Sequence, residues 1–236
     1  MLIDPFGIEV WMNEFEDHCD YNLAETCIKP MSINDLLKLS GTNINFYQEI
    51  STMTMTYGAI EGTDRLRTLI ASLFQKKEKQ NVLICHGAIG ANSLVYNALI
   101  SPGDSVTSIM PTYQQHYSIP ESLGAEIKIV QLKAENNFLP DLNELKNSLS
   151  SNTKLISLTN PNNPTGSVIN EDLLARIVEL AISHDAYILC DEVSVEFDEL
   201  SELLNDKSVT LVILCLQTGH KGLLSNQVTN DSFLNI

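Results

Sequence analysis

The sequence has 236 residues, 44% hydrophobic and 19% charged, enough for one large or two small soluble domains with a sizeable buried core. Its 30 acidic and 14 basic residues leave a formal charge of −16. That balance argues against nucleic acid or an anionic membrane as partner, and it requires any bound phosphate to be held by local donors.

The N-terminal stretch is acidic and lacks the basic region of a signal peptide. No apolar run reaches the roughly 18 residues of a membrane span, so a cytoplasmic location is expected. The cysteines Cys19, Cys27, Cys85, Cys190 and Cys215 are scattered, with no CxxC pair. Neither a disulfide framework nor a metal site is expected from them.

Residues 1–50 are irregular in pattern, with short helical candidates at Ile8–His18 and Ile33–Lys38. From Gly62 to Lys79 the spacing of Leu66, Leu69, Ile70 and Leu73 predicts a helix. Its expected last turn carries Lys76, Lys77 and Lys79, where the macrodipole favours cations. Asn81–Cys85 reads as a short strand, followed by a glycine-rich turn and an apolar helix to Ile100.

Beyond the turn Ser101–Asp104, strands are expected at Ser105–Met110, Glu126–Leu132, Lys154–Leu158, Tyr187–Cys190 and Val209–Leu216. Helices are expected at Tyr113–Leu123, Asp141–Leu149 and Glu171–His184. Such alternation predicts an α/β fold, a mostly parallel sheet with helices on both faces.

In an open sheet of that kind, ligands bind beyond the carboxyl ends of the strands, and three unusual segments lie there. Gly87-Ala88-Ile89-Gly90-Ala91-Asn92 could present free amides to a phosphate. Taken alone, it is equally a tight strand-to-helix connection. Asn160-Pro161-Asn162-Asn163-Pro164-Thr165-Gly166 is a stiff loop that could aim Asn163 at a ligand, or simply lead into the next helix. Asp191-Glu192 ends an apolar strand, where Asp191 could cap a helix or face the cleft beside a protonated ring nitrogen.

In this order and spacing, with Asn163 and Asp191 28 residues apart, the three segments resemble the fold-type-I, class I/II aminotransferases that depend on pyridoxal 5'-phosphate. Met55-Thr56-Tyr57-Gly58 with Gly62 and Leu66-Arg67, Pro102-Gly103-Asp104, and Pro111-Thr112-Tyr113 extend the likeness over about residues 50–195. The resemblance implies that the amides of Ala88 and Ile89 hold the cofactor phosphate and that Tyr113 stacks on the pyridine ring. It implies that Asn163 bonds the ring's phenolic oxygen and Asp191 pairs with the pyridinium nitrogen. Tyr57 would reach the phosphate of a neighbouring subunit, which implies a homodimer.

The pattern departs from the family after Asp191. Ser194 stands where the family has a tyrosine. Lys221, 30 residues after Asp191 in Thr218-Gly219-His220-Lys221, is the candidate cofactor-anchoring and proton-moving lysine, with Thr218 as a phosphate ligand. The glycine and arginine that follow the lysine in the family are only half matched: Gly222 is present, but no arginine lies beyond Arg176.

The expected organisation is an N-terminal arm at 1–50 and a cofactor-binding large domain at 51–236, without the family's C-terminal small domain. The expected function is an aminotransferase acting on an amino acid and a 2-oxo acid, in a truncated form with impaired activity. The alternative is a non-catalytic remnant or binding protein of the same fold.

Overall fold

In the computed structural model, residues 3–24, 31–41, 45–74, 77–193 and 212–213 are described, and five parallel strands form one sheet in the order β2-β1-β3-β4-β5. β1 (Ser105–Met110), β2 (Glu126–Gln131), β3 (Thr153–Thr159) and β4 (Tyr187–Asp191) follow the expected strands closely. Of the expected strand Val209–Leu216, the described part is β5 (Val212–Ile213), which pairs with Cys190 and Asp191.

A parallel sheet has to be covered on both faces, so its strands carry apolar residues of both parities. In β3, Leu155 joins Tyr96 and Leu99 of α5 (Gly87–Leu99) and Ile119 of α6 (Gln115–Ser122) on one face. Ile156 and Leu158 point the other way, onto Leu145 of α7 (Leu142–Ser148) and Ile177 of α8 (Glu171–Ser183). α8 forms because Leu174, Ile177, Val178 and Ala181 share one helical face, all buried, while Asn170 caps its start by accepting the Leu173 amide at 3.0 Å.

The N-terminal arm holds three helices: α1 (Gly7–Phe15), α2 (Ile33–Ser40) and α3 (Phe46–Thr52). The first is shorter than the expected Ile8–His18, because residues 16–18 tighten into a 3-10 turn. The third has no counterpart in the sequence reading. It is set by a local cap rather than an apolar stripe: Asn45 accepts the Gln48 amide at 3.2 Å, and none of its residues is buried. Among the described residues, no helix is long and apolar enough to cross a membrane.

The helix expected from Gly62 to Lys79 is corrected. α4 spans only Asp64–Ala71, and Lys79 does not sit at its C-terminal end. The chain folds back through a 3-10 turn at Lys79–Asn81, and the Lys79 ammonium reaches Asp64 at 2.6 Å, in the first turn of α4. Lys76 lies outside the described residues.

Buried Arg67 causes the reversal. Its Nε donates to the carbonyls of Val82 (2.8 Å) and Lys79 (3.1 Å), and its guanidinium pairs with Glu61. The expected strand Asn81–Cys85 is corrected: Asn81 closes the 3-10 turn, and 82–85 join no sheet among the described residues; the Ile84 amide donates to the Glu61 carbonyl at 3.0 Å instead.

That contact brings Ile84 against Gly62, which has a φ of +97°. A Cβ there would lie 2.2 Å from Ile84 Cγ1. Gly62→Ala combines a left-handed backbone with a steric overlap, and a loss of about 1–3 kcal/mol is expected. Urea unfolding would read it as a lower midpoint; an unchanged midpoint would show that Ile84 is free to move.

Candidate functional site

Period two along β3 and β4 decides what meets at the carboxyl end of the sheet. Thr159 is in register with Asp191, and Ser157 with Leu189. Leu189 belongs to the face covered by α5 and α6, so Asp191, two residues on, points the same way. Asp191 is 4% exposed. Asn92 of α5 donates to Oδ2 through Nδ2 at 2.9 Å, and His116 of α6 lies on the same oxygen through Nε2 at 3.2 Å. An ionised carboxylate only accepts, so Nε2 carries the proton. The Val193 amide donates to Oδ1 at 3.2 Å.

Behind His116, its Nδ1 lies 2.9 Å from Ser157 Oγ and 3.2 Å from the Tyr96 hydroxyl, and the two hydroxyls are 2.7 Å apart. Burial by itself pushes the Asp191 carboxyl up. The bond to and field of His116, the Asn92 amide and the Val193 amide outweigh it and hold the carboxyl below its ordinary value. Asp191 is therefore a buried anion, suited to a cationic partner.

Glu192 is shifted the other way. It is fully buried, and its Oε1 has no hydrogen-bond partner among the described residues. Burial raises its carboxyl well above the ordinary value and the Asp191 charge adds to this, while the Cys190 thiol only partly opposes them. The two neighbouring carboxyls are thus shifted in opposite directions.

The loop after β3 is stiffer than its prolines alone imply. Asn160 is buried; its amide donates to the Asp191 carbonyl at 2.9 Å and its Oδ1 accepts the Ile169 amide at 2.8 Å. Asn162 accepts from the Thr165 hydroxyl at 2.8 Å and donates to the Pro111 carbonyl at 3.1 Å. These two asparagines hold the loop, and Asn163 is left exposed at its tip. The Thr112 and Thr159 hydroxyls, 2.9 Å apart, tie the segment before Tyr113 to the same strand end.

At the start of α5, His86 makes no side-chain cap to the first-turn amides, which include those of Ala88 and Ile89. Gly87 takes φ +68° with open space where a Cβ would stand. Tyr113 is half-buried; Phe6 of the arm packs edge-on against its ring at 4.9 Å, and its hydroxyl donates to Glu9. Burial first, then Glu9, pushes that phenol up. Tyr57 is 99% exposed and joins none of these groups. Lys221 and Thr218 lie outside the described residues, as does Ser194.

Asp191 and the donors around it thus sit at the end of the sheet where α5 begins and the 160–166 loop turns. Asn92, His116, Tyr96 and Ser157 were missed in the sequence. The available signal was parity: Asn92 and Tyr96 share the buried helical face with Leu99, where polar atoms need a partner.

A family profile described as Aminotransferase class I and II matches residues 31–206. The chain is 34% identical over 136 residues to an aspartate aminotransferase of Pyrococcus horikoshii, covering 56% of this chain and 35% of the relative. It is 34% identical over 131 residues to a histidinol-phosphate aminotransferase of Methanococcus maripaludis, covering 54% and 34%. A solved PLP-dependent aminotransferase from Streptococcus suis superposes with a TM-score of 0.85 and 38% identity, over 90% of this chain and 58% of that one. The matches therefore span about a third of the curated relatives' length and somewhat over half of the solved chain.

The opposite shifts of Asp191 and Glu192 give opposite pH dependences. A carboxyl raised in the fold binds its proton more tightly there than in the unfolded chain. Its contribution is fully present below the ordinary value of 4.5 and is lost as pH rises toward the folded value. Asp191, lowered, contributes above its ordinary value of 3.8 and loses that contribution as pH falls through its folded value. Glu192→Gln is expected to flatten the decline of stability above pH 4.5 while leaving the acid limb in place. Denaturant midpoints across pH measure this; a decline that persists unchanged in Glu192→Gln would show that another group causes it.

Proposed function

The chain belongs to the class I and II aminotransferases, and from that membership we propose that it forms the cofactor-binding part of a pyridoxal-phosphate-dependent enzyme moving an amino group between an amino acid and a 2-oxo acid. In this reading residues 1–50 are an arm and 51–236 the cofactor-binding domain. The carrying observation is Asp191, a carboxylate kept ionised in a dry site at the carboxyl end of β4. Such a group fits a pyridinium nitrogen, whose proton it would hold.

Bound there, the cofactor supplies an electron sink for negative charge at the amino-acid α-carbon. The chain's own residues hold and orient it. Asp191 keeps the proton on the ring nitrogen. The amides of Ala88 and Ile89, not capped by His86, receive the phosphate, with Thr218 as a further ligand. Asn163 stands at the tip of a loop anchored by Asn160 and Asn162, available to the phenolic oxygen. Tyr113 stacks on the ring, steadied from outside by Phe6 and Glu9. Lys221 anchors the cofactor and moves the proton at the α-carbon.

A second copy of this chain is the proposed partner. Tyr57, Met55 and Ile60 are almost fully exposed, an apolar stretch suited to association. Sedimentation above the monomer mass is expected; a stable monomer would count against it.

A form with impaired turnover is favoured by one sequence feature: residues 222–236 carry no arginine to grip the phosphate.

The test is to add pyridoxal phosphate to purified chain, record the visible band and its loss with borohydride, and assay a panel of amino acids with 2-oxo acids. Asp191→Ala should weaken cofactor binding at least about tenfold. Lys221→Ala should remove the borohydride-sensitive band. Turnover of about 1 per second or more that disappears in Lys221→Ala would establish a working enzyme. Cofactor affinity unchanged in Asp191→Ala would refute the site.

A further inference from the structure

Asn92 is an amide side chain with no solvent exposure, on the buried face of α5 that also carries Tyr96 and Leu99. Its Oδ1 has no hydrogen-bond partner among the described residues. An unmatched buried carbonyl is unfavourable, and leucine would fill similar space without that cost. What asparagine contributes and leucine does not is the 2.9 Å bond from Nδ2 to Asp191 Oδ2.

The distribution of donors around Asp191 is uneven. Oδ2 takes both core donors, Asn92 and His116, while Oδ1 takes the Val193 amide alone. A carboxylate offers about four acceptor sites, two on each oxygen. Oδ2 is filled, and the remaining capacity lies on Oδ1. Two donors from separate helices on Oδ2, with the Val193 amide on Oδ1, fix the carboxylate's rotation.

We propose that Asn92 is a positioning residue for Asp191: by saturating Oδ2 together with His116, it turns the open site of Oδ1 toward the ring nitrogen of the bound cofactor. This rests on the cofactor reading above. It also joins the two charged ends of the ligand, because α5 carries both the phosphate-facing turn and Asn92. Among the described residues, the other ionisable groups around Asp191 are Tyr96 of α5, His116 of α6, and Cys190 and Glu192 beside it on the chain. Asn92 differs from all of them in carrying no proton equilibrium, so its removal changes the environment of Asp191 without adding a titration.

The test uses the full chain in three forms: wild type, Asn92→Leu and Asn92→Ala. The alanine variant serves if leucine does not fold. Without cofactor, aspartate carboxyl carbons labelled with 13C are titrated by NMR, the Asp191 signal being assigned by its absence in Asp191→Asn. The midpoint of Asp191 is expected to move up in both Asn92 variants; an unmoved midpoint in a folded variant overturns the proposal.

In the second arm, affinity is measured for pyridoxal phosphate and for its 1-deaza analogue, in which carbon replaces the ring nitrogen. Asn92→Leu is expected to weaken the first by about tenfold and leave the second unchanged. Equal loss for both would make Asn92 a support of α5 alone and overturn the role. If wild-type chain binds neither compound, the cofactor reading fails, while the carboxyl titration still decides whether Asn92 positions Asp191.

Discussion

An aspartate that is 4% exposed keeps its charge only if protein donors replace the water it has lost. Around Asp191 those donors come from three places: α5 through Asn92, α6 through His116, and the backbone after β4 through Val193. Each stands within about 3 Å, so the register of both helices on the sheet is tied to one side chain. His116 in turn is completed by Ser157 and Tyr96, which extends the requirement into the strand beneath and one turn further along α5. Buried polar networks are favourable only when every member is satisfied, and the His116 side of this one is.

Strand parity separates the two carboxyls that follow one another on the chain. Asp191 falls on the face where polar groups of α5 and α6 await it. Glu192 falls beside the Cys190 thiol, with an oxygen unmatched among the described residues, and burial pushes its carboxyl up. One residue of offset therefore shifts two carboxyls at the same strand end in opposite directions.

The loops around Asp191 are held by backbone and amide side chains together. The Asn160 backbone bonds β4, its side chain bonds the Ile169 amide before α8, and the Asn162 side chain bonds the Pro111 carbonyl after β1. The N-terminal arm approaches from outside: Asp4 accepts from Gln114 at 2.8 Å, while Phe6 and Glu9 meet Tyr113. The rest of the arm and the stretch around Tyr57 leave large apolar side chains in solvent, in contrast to the sheet, whose two faces are both packed.

The alternation of apolar runs with helical stretches was enough to yield the parallel sheet, the positions of β1 to β4 and the helices α5 to α8, although the run Asn81–Cys85 forms no strand. Those features follow from periodicity and turn residues close together in sequence. The glycine turn, the asparagine-proline loop and Asp191 were legible as candidates because unusual residues cluster at strand ends. The sequence did not reveal that α4 stops at Ala71, because the cause is Arg67 bonding to carbonyls 12 and 15 residues away. Nor did it reveal that Asn92, 99 residues from Asp191, meets it in the core. Local pattern determined which residues form elements and which carry chemistry. Tertiary packing alone decided which donors surround the carboxylate and hence its charge, because desolvation and hydrogen bonding depend on neighbours brought together by the fold.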